Sequence, residues 1–360
     1  MAAPLRQVEG FFVSQSINLN YLASLKKFSD QLGGHGELLS MDEEDSIIVK
    51  PCNGIERDFY ENSIAHPGFA RWMPKYYGTL RLHDSQPPLL DQQLDVNNNI
   101  ISCDIKPQTT KESIVTHADV KDAEEAICIE NVLSKFKKPC VMDLKLGTQL
   151  WGEDADERKR QKAILKAERT TSSSMGIYIT ACRVYGKSSN NYTYYSREYC
   201  RNLTPITIIK CFADFFMAEI SPSQRQLVIN RFIEDLTSFL EALEKQDVRL
   251  RSASLLFVYE GDPNAFTEAL NKEEEETQDN QKTSKLTSGE DYVEDEDIED
   301  TDYDSDIDED DDDEFKVTEL KIIDFAHSYF RDGVGKDEGC LLGVNNAIRC
   351  LKQVLNEITN

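Results

Sequence analysis

Three short stretches hold side chains whose types and spacing could do chemistry. The first runs Pro139-Cys140-Val141-Met142-Asp143-Leu144-Lys145-Leu146-Gly147. Read as a strand, it puts Val141, Asp143 and Lys145 on one face and turns Met142, Leu144 and Leu146 into a core. A carboxylate and an ammonium two residues apart on an apolar backing suit phosphate and nucleotide chemistry. An ordinary surface ion pair has the same pattern. The second stretch is the charged run from Asp156 to Arg169, in which Lys159, Lys162, Lys166 and Arg169 are spaced three, four and three. On a helix they form one stripe of cations that repel one another. A polyanionic ligand relieves that repulsion, and a solvated face or a nucleic-acid patch is the plainer reading. The third is Ile322-Ile323-Asp324-Phe325-Ala326-His327, which puts a carboxylate at a strand end. Mg²⁺ takes one or two such protein carboxylates plus substrate phosphates. His327 gains interest only from its closeness to Asp324.

These stretches need elements to hold them. Leu38 to Ser40 and Ser46 to Pro51 flank a polar turn and predict a hairpin. Glu56 to Ile64 predicts a helix with Glu56 near its start. Strands are predicted at 76–80, 126–132, 139–146, 175–185, 254–259 and 319–325. Helices are predicted at 157–170, 207–218, 223–246 and 341–358. Tyr21 to Phe28 suggests a short amphipathic helix. Gly33-Gly34-His35-Gly36 marks a turn.

The chain has 360 residues and a formal net charge of −26. Of its 66 acids, 23 lie between Glu273 and Glu314, beside only 2 lysines. The acidity thus belongs to one segment, which composition predicts to be a disordered insertion. Direct nucleic-acid binding is not expected from this balance. No apolar run approaches the roughly 18 residues of a membrane span. Met1 to Gln15 does not read as a secretory signal. The nine cysteines include no CxxC pair and read as small buried residues. There is no GxxxxGK[ST], and no H-R-D…N or D-F-G, so P-loop enzymes and ordinary protein kinases are excluded.

Taken together, the three stretches resemble the inositol polyphosphate kinase family. Its P-x-x-x-D-x-K-x-G stands as Pro139 to Gly147, its S-S-L-L as Ala253-Ser254-Leu255-Leu256, and its I-D-F-A-H intact as Ile323 to His327. Gly34-His35, Val49-Lys50-Pro51 and Trp72-Met73-Pro74 are similar to the family's N-terminal landmarks. The resemblance implies an α+β fold of two lobes related to protein kinases, with ATP in the interlobe cleft. The expected division is a leader at 1–29, an N-terminal lobe at 30–132 with a long loop at 84–121, and a C-terminal lobe at 133–360. The last holds a substrate helix at 157–170 and the acidic insertion at 273–314.

The resemblance also implies roles. Lys50 would touch the ATP phosphates, with Glu56 as its partner, and Glu130 and Val132 would form the adenine hinge. Asp143 is similar to a ribose-binding residue and Asp324 to the Mg²⁺ ligand. Lys145 would contact both the transferred phosphate and the acceptor. Lys159, Lys162, Lys166, Arg197, Arg201 and His327 fall at acceptor-binding positions. Two departures stand out. Ala253 replaces the first serine of S-S-L-L, and Cys200 replaces a glycine before Arg201.

The expected activity is that of the family's multikinase branch, in its fungal form. It would phosphorylate inositol trisphosphate and tetrakisphosphate toward pentakisphosphate, in nucleus and cytoplasm, with the acidic insertion free to contact basic nuclear proteins. Gly147 to Ala155 echoes the hexakisphosphate kinase branch, which is the alternative. An acidic interaction protein on a kinase-like scaffold is the reading from another class.

Overall fold

Two antiparallel sheets carry the site, and most of their strands are the β-rich runs marked by the sequence. The computed structural model describes residues 26–28, 38–41, 45–81, 125–287 and 316–359. Gly33 to Gly36, the 84–121 loop and residues 288–315 of the acidic run lie outside them.

The first sheet comprises β1 (Lys26–Lys27), β2 (Leu39–Ser40), β3 (Ile47–Cys52), β4 (Tyr76–Arg81) and β5 (Glu125–Glu130), in the order β1-β2-β3-β5-β4. The expected hairpin is β2–β3, with Leu39 opposite Val49. Strand alternation sorts its side chains. Val49, Ala126 and Cys128 form a small cluster on one face, while Ile48, Ile127 and Ile129 join the main core on the other. Lys50 shares the Ile48 face and so points toward the second lobe. The helix expected at Tyr21–Phe28 is corrected where the chain is described. Lys26 and Lys27 pair with β2, the Phe28 amide donates to Leu38 O at 2.9 Å, and Phe28 is buried. Pairing and burial of one aromatic outweigh local helix propensity here.

Helix α1 (Gly54–Asn62) follows β3 directly. Asn53 caps it by accepting from the Glu56 amide at 2.9 Å. Glu56, Phe59 and Tyr60 are its buried residues, at the spacing of one helix face. A short α2 (Pro67–Ala70) leads to Trp72 and β4.

The second sheet is built from β6 (Pro139–Leu146), β7 (Ile177–Gly186), β8 (Asn191–Tyr195), β10 (Ser254–Glu260) and β11 (Thr318–Ile323), in the order β11-β10-β6-β7-β8. Between them come α3 (Glu157–Glu168), α4 (Ser172–Met175), α5 (Arg197–Arg201), α6 (Ile208–Phe215), α7 (Pro222–Glu244), β9 (Val248–Arg249) and α8 (Pro263–Thr287). After β11 come β12 (Tyr329–Phe330), paired with β9, and the closing helix α9 (Glu338–Thr359). Met142, Leu144 and Leu146 are fully buried, as their alternation predicts, in a core shared with α6, α7 and α9. No helix of the described residues is long and apolar enough to cross a membrane. Of the cysteines described, all are free and all but Cys52 are buried.

The acidic run begins differently from its composition. Helix α8 continues to Thr287, so residues 273–287 are helical. Glu273 pairs with Arg231 at 2.7 Å and accepts the Val317 amide at 3.2 Å, which ties α8 to the start of β11. Replacing 288–315 by a short Gly/Ser bridge is therefore expected to leave turnover within about twofold, since loop length costs little. A deletion that starts at Glu273 should instead lower turnover and melting temperature, because β11 carries Asp324 at its end. Kinetics and thermal melts of the two deletions check this. Equal behaviour would contradict it.

Candidate active site

Strand β6 sets the site up. Its register places Leu256 opposite Asp143 and Ser254 opposite Lys145 on β10, and Tyr178 opposite Lys145 on β7. The pairing with β7 slips between Asp143 and Leu144. Such bulges re-aim side chains and cluster near sites. Val141, one pair further along, packs with Val132, Phe136 and Val258 in a small apolar cluster beside Asp143.

At the end of β11 the backbone of Asp324 turns left-handed, with φ of 67°. Aspartate is among the few non-glycine residues that enter this region readily. The turn brings its carboxylate between two lysines from different lobes. Lys50 Nζ lies 3.0 Å from Oδ1, and Lys145 Nζ lies 2.9 Å from Oδ2. Lys50 also donates to Glu56 Oε1 at 2.7 Å, and the same oxygen accepts the Phe325 amide at 3.0 Å. Two cations and two carboxylates thus form one closed set.

The electrostatics follow from that set. Burial alone would raise the Asp324 carboxyl, but Lys50 and Lys145 overcome it and hold it well below the usual carboxylate range. Burial would lower the Lys50 ammonium, and Asp324 and Glu56 reverse this and raise it. Asp143 is different. Burial pushes its carboxyl up, and Lys145 offsets only part of that. Its Oδ1 is buried and has no hydrogen-bond partner among the described residues.

The lobes are fastened around this cluster. Asn53 Nδ2 donates to Ala326 O at 3.0 Å, and the Ile322 amide donates to Trp72 O at 2.6 Å. The Phe59 ring stacks on Phe325 at 4.4 Å and on Phe330 at 4.5 Å. Aromatic pairs of this kind add about 0.5–1.5 kcal/mol beyond their burial. Helix α1 therefore cannot move without disturbing Asp324.

The residues expected at the acceptor fall on three elements. Lys166 lies in the last turn of α3, near Lys145 and near Arg197 and Arg201 of α5. Burial and then these three cations lower its ammonium. Lys162 and Lys159 are exposed one and two turns earlier on α3, respectively. Among the described residues no carboxylate pairs with Lys159, Lys162 or Lys166. His327 packs against the link between β6 and α3. Its Nδ1 is 3.8 Å from Asp154 Oδ1, and a Cβ on Gly152 would stand 2.9 Å from that nitrogen. The hinge pair is ordered by its neighbours. Glu130 exchanges backbone and side-chain bonds with Lys75, and Val132 belongs to the apolar cluster beside Asp143.

Some features were not visible beforehand. Strand β8 and helix α5 fill a stretch with no clear periodicity. Tyr178 lies opposite Lys145 and beneath the Lys166 ammonium, but nothing local marks it. The Asn53 cap, by contrast, carries a signal in its residue type just before the helix. At the S-S-L-L departure, Ala253 is fully buried. Ser252 turns away at φ of 58°, and its hydroxyl donates to Leu150 O at 3.0 Å. A cavity of about 490 Å³ lined by Arg71, Trp72, Asp235 and Glu319 lies along α7 and β11. It shares no residue with the cluster above.

Known proteins are similar to this chain in sequence and in fold. The model of the family "Inositol polyphosphate kinase" matches residues 126–352. An inositol polyphosphate multikinase of Schizosaccharomyces pombe is 33% identical over 66% of this chain and 80% of its own length. One from Saccharomyces cerevisiae is 26% identical over 88% of this chain and 94% of its own. A human inositol hexakisphosphate kinase 2 is 27% identical, over 64% of this chain and 52% of its own. In fold, the chain is similar to the inositol phosphate multikinase Ipk2 of S. cerevisiae, solved with ADP and Mn²⁺. The TM-score is 0.57, at 21% identity, over 86% of this chain and 99% of that one. The matched span runs from β5 into α9 and includes Asp143, Lys145, the α3 lysines and Asp324. The chain belongs to the inositol polyphosphate kinase family.

Proposed function

We propose that this kinase is a multikinase that phosphorylates inositol trisphosphate and tetrakisphosphate toward pentakisphosphate with ATP. The observation that carries the reading is the junction of two charge systems at Lys145. On one side it pairs with Asp324 and, through it, with Lys50. On the other it faces Lys166, which Arg197 and Arg201 also approach. A donor phosphate and a polyanionic acceptor can therefore meet at one ammonium.

Phosphoryl transfer needs positioning and charge neutralisation more than covalent chemistry. Lys50, oriented by Glu56, would hold the ATP phosphates. Val132 and Val141 would floor the adenine beside the Glu130–Val132 hinge. The orphaned Oδ1 of Asp143 suits a hydroxyl donor such as ribose. Asp324 is an ionised, hard oxygen donor that remains 28% exposed between the two phosphate-facing lysines, which fits a divalent cation. We assign it to Mg²⁺, which when bound neutralises charge on the transferred phosphate. Lys159, Lys162, Lys166, Arg197 and His327 would bind the acceptor. The relatives named as multikinases support the branch. The acidic run fits a contact with basic nuclear proteins and residence in nucleus and cytoplasm.

The test is a comparison of kcat/KM for inositol trisphosphate, tetrakisphosphate and hexakisphosphate under Mg-ATP. The first two should exceed the third by at least about tenfold, the size of one charge-assisted contact. A preference for hexakisphosphate would transfer the chain to the hexakisphosphate kinase reading.

A further inference from the structure

The link between β6 and α3 is held against the turn that follows β11. The Ser252 hydroxyl donates to Leu150 O at 3.0 Å. The Tyr329 hydroxyl donates to Glu153 Oε1, and Arg331 Nη1 lies 3.7 Å from Glu153 Oε2. The Ala155 amide donates to Gly152 O at 3.2 Å, which folds residues 152–155 into a turn. Asp156 then caps α3 by accepting the Lys159 amide at 2.7 Å. The backbone that starts the lysine helix is thus the one that packs on His327.

His327 has two unlike ends. Its Nδ1 is buried and has no hydrogen-bond partner among the described residues, although the side chain as a whole is 41% exposed. The exposed end is therefore the far edge of the ring, which carries Nε2. Asp154 Oδ1 stands 3.8 Å from Nδ1, just beyond hydrogen-bond reach. The Asp154 side chain is 64% exposed and pairs with no other side chain among the described residues, so it is free to close that gap. Gly152 makes the approach possible. A Cβ there would stand 2.5 Å from Asp154 Oδ1 and 2.9 Å from His327 Nδ1, closer than such atoms can come.

We infer that Gly152 and Asp154 are the positioning residues of His327: the bare glycine admits the ring, and the Asp154 carboxylate takes Nδ1–H while Nε2 addresses an acceptor phosphate. This rests on the kinase reading above and deepens it. A charged imidazole donates from both nitrogens, so an anion at each end supports the same ring. The bond at the nitrogen away from the ligand sets the orientation of the one that meets it.

The test is a double-mutant cycle on calorimetric binding of inositol tetrakisphosphate to the full chain without nucleotide, alongside steady-state kinetics. His327→Gln should weaken binding by about tenfold, the size of one charge-assisted contact. Asp154→Ala should weaken it about fivefold, the upper range for a partly exposed ion pair. Gly152→Ala should weaken it about as much, since its methyl group displaces side-chain ends rather than backbone. In the His327→Gln background Asp154→Ala should lose its effect, because residues that act through one ring are not additive. A merely structural role for the link would add its loss to that of His327→Gln. KM for ATP and the melting temperature of Asp154→Ala should stay at wild-type values. Additive losses, wild-type binding by any of the three single variants, or an equal loss for ATP and the inositol phosphate would overturn the proposal. If the wild-type chain binds inositol tetrakisphosphate without phosphorylating it, the kinase reading falls and the cycle still decides. If it does not bind at all, the acceptor site is absent and the proposal falls.

Discussion

Asp324→Asn is expected to lower kcat by about 10²–10³-fold, the cost of removing one preorganised charge from a reacting centre. The substitution is a clean one. Asparagine tolerates the left-handed backbone at φ of 67° at least as well as aspartate. Lys50 retains Glu56, and the Glu56 bond to the Phe325 amide is untouched. What is lost is the charge that sits between Lys50 and Lys145 and would hold the cation. Asp324→Ala should lose as much activity and also some stability, since alanine is strained at that φ. The pH dependence has a definite sign. A carboxyl held below its usual range stabilises the fold above the unfolded value of about 3.9, and that contribution fades as pH falls through the folded value. The wild-type protein should therefore be more stable than Asp324→Asn near neutrality, and the gap should close in acid. Turnover of Asp324→Asn near the wild-type rate at ordinary Mg²⁺ would remove Asp324 from the mechanism.

Changing Lys159, Lys162 and Lys166 together to alanine is expected to raise KM for the inositol phosphate by at least about tenfold. Each charge-assisted contact to phosphate is worth about 1.5–3 kcal/mol. KM for ATP should change little, because these lysines do not touch the Lys50–Glu56–Asp324 set. Stability should hold or rise. None of the three pairs with a carboxylate among the described residues, and Lys166 is crowded by Lys145, Arg197 and Arg201. The separation of the two KM values is the discriminating reading. A scaffold protein with a relict cleft predicts no such selectivity. An equal loss for both substrates, or a collapse in melting temperature, would mean that the stripe is structural.

The legible parts of this site are those written locally. Alternation along 139–146 gave both the core face and the functional face of β6. The cation spacing on α3 and the cap of α1 are also properties of a few consecutive residues. What joins them is not local. Lys145 and Asp324 are 179 residues apart, and Lys50 and Asp324 are 274 apart. Only the motif resemblance placed them near one another. Tyr178 had neither kind of signal. A tyrosine in an apolar strand reads as core, and its surroundings come from a register partner on β6 and from Lys166 of helix α3. The strand at Lys26–Lys27 was missed for a similar reason, since its pairing with β2 is tertiary. The helical start of the acidic run was missed because composition averages over a segment. There, Arg231 and the Val317 amide hold one glutamate in place.

The central claim is that one cleft transfers phosphate from ATP to an inositol phosphate through the Lys145–Asp324 junction. It is tested most directly by incubating the purified chain with Mg-ATP labelled at the γ-phosphate and inositol trisphosphate, then resolving the products over time. Label is expected to enter tetrakisphosphate first and pentakisphosphate next, and to enter neither with Asp324→Asn over the same period. Label that stays in ATP or appears only as free phosphate with the wild-type chain would contradict the claim, and so would equal transfer by the Asp324→Asn protein.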